Sequence, residues 1–235
     1  MRVIDGEVVM EFRIISIGAL SVHELWERQG PARTPHATTT LIEAGGRRIV
    51  VDPGLPPQVV AARLSERAGL APEDVSDVFL TTFRPAHRAG LAAFAQARWL
   101  IGEAEREAVG VSLVRAFEAE EDEERRETLR GEIALLKNFQ AAADRIAEGV
   151  DLFPLPGFSV GTCGLLLLES TRTTLIAGDA VATNEHLEQG RVLRVAADVE
   201  QAKESLSEAI EIADAIVPGH DNVVLNPTRR SLGRG

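Results

Sequence analysis

Asp77–Leu91, DVFLTTFRPAHRAGL, changes character twice along its length. A short apolar run ends at Thr81, a polar loop with one proline and one histidine follows, and Ala89-Gly90-Leu91 opens a helix. In open α/β sheets, ligands gather outside the carboxyl ends of strands, where the chain turns from strand into helix. The stretch therefore predicts an α/β fold and makes His87 a candidate site residue.

Upstream, Glu11 to Ile17 alternates apolar Phe12 and Ile14 with polar neighbours, the period of a strand with one wet face. A polar loop runs from Ser21 to Pro35. TTTLIEA (38–44) and RRIVVD (47–52) are β-rich runs joined at Gly45-Gly46, a dipeptide suited to the positive φ angles of a hairpin turn. The hairpin ends at Asp52-Pro53-Gly54, and from Pro57 the spacing of Val59, Val60, Leu64 and Ala68 is helical.

Downstream, Leu91 to Ala95 is expected in a helix and Arg98 to Ile101 in a buried strand. From Glu103 to about Gly149 the chain is rich in Ala, Glu, Arg and Leu and free of proline, which predicts helix throughout. Leu129, Ile133, Leu136 and Ala143 would form its apolar stripe, and the acidic run at 118–127 a solvated face. Strands resume at Val150 to Phe153, Gly164 to Glu169 and Thr173 to Ala177. Asp198 and Gln201 resemble a capping box before the apolar helical face of Ala202, Leu206, Ala209, Ile210 and Ala213. Ala215 to Val217 is the last expected strand. One domain over 1–235, with two packed sheets, helices outside and a helical insertion at about 103–149, satisfies this order.

Composition narrows the function. The chain has 235 residues, 45% of them hydrophobic, enough for a sizeable core. A net charge of -11 without a basic stripe argues against nucleic acid as a partner. No apolar stretch suits a signal peptide or a bilayer span, so a cytoplasmic location without membrane association is expected. The single cysteine, Cys163, excludes an intramolecular disulfide and a cysteine-cluster zinc site, and its apolar neighbours place it in the core.

Three loops after apolar runs carry histidine or carboxylate: Ala86-His87, Gly178-Asp179-Ala180 and Pro218-Gly219-His220. Two imidazoles and a carboxylate suit a divalent metal such as zinc, iron(II) or manganese. His23, His36 and His186 read as loop residues, with His186 the one placed to touch a small molecule. No serine nucleophile elbow and no Gly-rich phosphate loop is present.

From about Thr38 to Asn226 these motifs, VDPG, the FRPAHRAG loop, PGFSVGT, GDA and PGH, resemble the metallo-β-lactamase superfamily in their order. The resemblance implies an αβ/βα sandwich of two mixed sheets flanked by helices, with the site along one edge. It also implies which ligands are gone. Thr82, Arg84 and Ala86 stand where the long motif has histidine, histidine and aspartate, and Phe158 stands at the next histidine. His87, Asp179 and His220 match retained ligands of the second metal, and Asp52 matches an aspartate that supports the site from behind. A turn or cap carboxylate is the other reading of Asp52.

Two accounts of the site follow. In one, a single divalent metal stays on His87, Asp179 and His220 and serves hydrolysis of a small ester, lactone or thioester. In the other, the Arg84 guanidinium pairs with Asp179 in place of a metal, Phe158 fills the cavity, and the chain is a pseudoenzyme that binds a small molecule or associates through the 103–149 helices as a homodimer. Compensation by one of the many glutamates of 103–149 is left open.

Overall fold

The computed structural model describes residues 10–27 and 30–228 and the backbone of a small antiparallel pair before them, Val3–Ile4 (β1) and Glu7–Val8 (β2). Glu11–Ser16 (β3), Thr39–Ala44 (β4) and Arg47–Val51 (β5) form an antiparallel meander. Gly45 and Gly46 turn the hairpin with φ of 54° and 74°, angles that a side chain would strain. Helix Pro57–Ala68 (α1) begins at its proline and stops at left-handed Gly69.

Asp77–Leu80 (β6) runs parallel to β5, and Arg98–Ile101 (β7) runs parallel to β6. Between them the helical turns start earlier than expected. Pro85–Arg88 (α2) forms a short helix, and a 3-10 turn follows over Leu91–Phe94. Pro85 explains the early start, because its ring pre-sets the φ of a first helical residue.

The expected unbroken helix over 103–149 is two helices and two edge strands: Glu103–Ala119 (α3), Glu123–Lys137 (α4), Phe139–Ala141 (β8) and Arg145–Ala147 (β9). The break lies in the acidic run. Glu120 leaves the helix, its carboxylate accepts the N–H groups of Glu121 and Asp122, and Asp122 caps α4 by accepting the Arg125 N–H at 2.9 Å. Ala143 consequently falls beyond the helix, between the strands.

Val150–Pro154 (β10), Cys163–Leu168 (β11) and Thr173–Gly178 (β12) lead to helices Asn184–Gln189 (α5) and Val199–Ile212 (α6). Asp198 caps α6, accepting the Gln201 N–H at 3.0 Å. Ala215–Pro218 (β13) is followed by one further edge strand, Val224–Leu225 (β14).

The strands form two mixed sheets, β3-β4-β5-β6-β7-β8 and β14-β13-β12-β11-β10-β9. Between them lies a core that includes Ile49, Val51 and Phe79 from the first and Leu165, Leu167 and Val217 from the second. Val60 and Leu64 of α1 and Leu136 of α4 pack with Val50, Val78 and Leu80 on the outside of the first sheet, and Leu206 and Ala209 of α6 with Leu175 and Ile216 on the outside of the second. The fold is therefore an αβ/βα sandwich. Among the described residues no helix is long and apolar enough to cross a membrane.

Candidate metal centre

The strands β5 and β6 are parallel in one sheet, and β12 and β13 in the other. Asp52 follows β5 and adopts a φ of 49°, the single positive value for a non-glycine among the described residues. Two hydrogen bonds hold its side chain: Oδ1 accepts the Thr81 N–H at 2.9 Å, and Oδ2 accepts the Thr81 hydroxyl at 2.7 Å. Oδ2 also lies 3.0 Å from His87 Nδ1. Asp52 is thus both a turn residue and the support behind His87.

His87, on α2, is fully buried, and its Nε2 lies 3.0 Å from Oδ2 of Asp179 in the loop after β12. That loop depends on Gly178, whose φ is 55° and where an added Cβ would meet the Thr81 hydroxyl oxygen at 2.4 Å. His220, after β13, donates from Nδ1 to the backbone oxygen of His36 at 2.9 Å and points Nε2 at Asp179 Oδ1, 2.9 Å away. Oδ1 is buried, and among the described residues it makes no hydrogen bond besides this contact.

Burial alone would lower the His87 pKa, but Asp52 and Asp179 on its two nitrogens outweigh it and push it up to about 10. Burial would likewise raise the Asp179 carboxyl, yet His87 and His220 hold it far below the usual carboxylate range.

The donor set fits a divalent metal. One ligand atom each from His87, Asp179 and His220 lies within 4.8 Å of the others. Each imidazole ties Nδ1 to an oxygen acceptor and turns Nε2 to the same carboxylate, the arrangement that fixes tautomer and ring orientation in metal ligands. A cation held by these three residues would meet a buried carboxylate oxygen whose one close partner is itself a ligand nitrogen.

Beside these three, the neighbouring positions make contacts within the protein. Thr82 turns its hydroxyl to Glu105, at 2.7 Å. Glu105, on the first turn of α3 and only 1% exposed, also accepts from the Phe83 N–H at 3.0 Å, the Ser159 hydroxyl at 2.6 Å and the Gly161 N–H at 3.2 Å. A helix glutamate therefore ties together the loops that carry Thr82 and Phe158. Nothing in the sequence separates it from the exposed glutamates around it.

Arg84 does not pair with Asp179. It is exposed, and its guanidinium carbon lies 4.4 Å over the centre of the buried Phe158 ring. Arg84 is the residue before α2, so its side chain leaves toward solvent while two imidazoles already flank Asp179. Ala86 offers only its backbone oxygen, which accepts the Ala37 N–H at 2.8 Å.

The other histidines fall outside the set. His36 contributes the backbone oxygen that holds His220. His23 is buried, stacks on Trp26 with centroids 4.4 Å apart, and lies 3.1 Å from the Thr183 hydroxyl. His186, expected to touch a small molecule, is instead fully buried 2.9 Å from the same hydroxyl, and burial pushes its pKa down. A cleft of about 490 Å³ opens over the centre, with Asp179 and His220 at its base and Leu20, Val22, Pro85, Leu193 and Val195 among its walls.

Comparison with known proteins agrees with this fold. Residues 33–220 match the family model described as the metallo-beta-lactamase superfamily. No curated protein sequence matches the chain. Among solved structures, a putative metallo-beta-lactamase from Thermotoga maritima is 21% identical, covers 93% of this chain and 100% of its own, and has a TM-score of 0.67. A variant of B. thuringiensis AiiA with N-decanoyl-L-homoserine bound at its active site is 20% identical over 96% of each chain, with a TM-score of 0.63. AidC, a dizinc quorum-quenching lactonase in complex with a product, is 15% identical over 74% of this chain and 67% of its own, with a TM-score of 0.60.

Proposed function

This chain belongs to the metallo-β-lactamase superfamily, and from that premise we propose that it is a metal-dependent hydrolase with one divalent ion on His87, Asp179 and His220. The observation that carries the reading is the convergence of two imidazole Nε2 atoms on the buried Asp179 carboxylate, their other nitrogens already committed. Zinc, manganese and iron(II) all accept imidazole and carboxylate. When bound, the ion supplies Lewis acidity toward a carbonyl and acidifies water.

The protein's own groups do the rest. Asp52 keeps the His87 ring oriented through Nδ1, and the His36 carbonyl does the same for His220. The apolar walls of the cleft exclude water from a bound acyl group. A small ester, lactone or thioester suits this site, and two similar structures hold an N-acyl-L-homoserine, in one of them, a lactonase, as the product.

Elemental analysis of protein purified without chelator tests the ion, and a panel of lactones, esters and thioesters tests the chemistry. Retention near one equivalent and turnover of one of these classes are expected. Below about a tenth of an equivalent, with none regained on dialysis against zinc, manganese or iron(II), the reading is lost.

One observation favours a second reading. Glu105 satisfies Thr82 and Ser159 internally and Arg84 covers Phe158, so these positions are occupied by contacts within the protein. A pseudoenzyme that binds a small molecule in the cleft would show no turnover at any metal loading.

A further inference from the structure

Resting on the hydrolase reading above, we infer that Arg84 determines specificity: its guanidinium takes the carboxylate of a monoanionic substrate whose remaining body is aliphatic. The arginines that stack on aromatic rings differ in what their guanidinium groups meet. Arg88 lies over Phe83 and reaches the Glu132 carboxylate at 2.5 Å. Arg126 and Arg130 lie over Phe117, and both pair with Glu123 at 3.8 Å. Arg84 is stacked equally closely, 4.4 Å over Phe158, yet among the described residues no carboxylate stands within ion-pair distance of it.

Its place in the cleft lining distinguishes Arg84 from the other arginines that stand outside an ion pair. Arg84 lines the same cleft as Asp179 and His220, and Leu20, Val22, Pro85, Leu193 and Val195 make the neighbouring walls apolar. Glu24 also lines the cleft, but its Oε1 is engaged by the Arg194 N–H at 3.3 Å and lies 3.5 Å from His186 Nε2.

The ring supports one face of the guanidinium and leaves the N–H edges for a ligand. A planar fork of that kind matches a carboxylate in a bidentate pair. Arg84 is the one arginine of the cleft lining, so it is the group there that a carboxylate would meet, and the apolar walls match an alkyl chain. Phe158, itself 3% exposed and packed with Ala182 and Leu193, holds the platform still.

The test is calorimetric binding of octanoate and octanamide to chelator-treated protein, so that neither metal nor turnover enters. Wild-type protein should bind octanoate about tenfold more tightly than octanamide, the size expected for one charge-assisted pair. Arg84→Gln should erase the preference, Arg84→Lys should keep part of it, and Phe158→Leu should reduce it. Arg84 is exposed, so the melting temperature of Arg84→Gln should match the wild type. Equal binding of the two ligands by wild-type protein, or a preference that survives Arg84→Gln, would overturn the inference. A retained preference in protein that takes up no metal would end the hydrolase reading and leave the role of Arg84 standing.

Discussion

Glu105 shows how a single buried carboxylate can tie two loops together. Its carboxylate is buried and accepts four hydrogen bonds, two from backbone N–H groups and two from hydroxyls, so no counter-charge is needed to keep it there. Glu105→Ala would leave those donors unsatisfied, and we expect a loss of about 3–5 kcal/mol in urea denaturation, the cost of breaking a buried charged network. A loss below about 1 kcal/mol would mean that water replaces the carboxylate. Asp52 acts on the centre at one remove. Asp52→Asn should keep the hydrogen bond from Thr81 while weakening the hold on His87 Nδ1, lowering zinc affinity about 10–100-fold in competition with a chelator. The three candidate ligands were legible because histidine and aspartate stand out after apolar runs, and Glu105 was not, because a glutamate among glutamates carries no mark of burial.

At the scale of elements, the regular strands were readable from period and turn chemistry, and the region 103–149 was not. Helix propensity is nearly uniform across it, whereas the break at 120–122 depends on side-chain oxygens capping backbone N–H groups. Asp122→Ala should therefore cost about 1 kcal/mol, read from thermal or urea melts, while the equally acidic Glu124, which makes no cap, should be replaceable by Ala within about 0.5 kcal/mol. The apolar stripe, to be covered either by its own domain or by a second copy, is partly covered at home, since Leu136 is buried and Val109, Leu113 and Leu135 pack against the first sheet's outer core. Val111 and Val114 of α3 remain 50% and 44% exposed. We propose that a homodimer closes over them. Light scattering should then give a dimer for the wild type and a monomer for the Val111→Lys, Val114→Lys double variant, and a wild-type monomer at micromolar concentration removes the proposal.

The whole molecule is two sheets held face to face, and the centre lies where both contribute: Asp52 and His87 follow strands of the first sheet, Asp179 and His220 strands of the second. Cys163 reports on the same closure from within. Its thiol is 3% exposed in the layer between the sheets, and a Cβ on Gly102 of the first sheet's side would come within 2.6 Å of its sulfur. Burial pushes the thiol pKa up to about 12, against about 8.5 for a cysteine in an unfolded chain. The folded state thus keeps its proton where the unfolded state releases it, so stability is unaffected below about pH 8 and declines as pH rises from about 8.5 toward 12. Modification by a disulfide reagent at pH 8 should accordingly require the sheets to part, and its rate should rise with urea along the slope of global unfolding. Raising the pH from 8 to 10 should speed it twice over, through thiolate formation in the open chain and through lost stability. Labelling within minutes in the absence of urea, at a rate independent of it, would mean that the sheets open locally at β11 and that the core between them does not act as one unit.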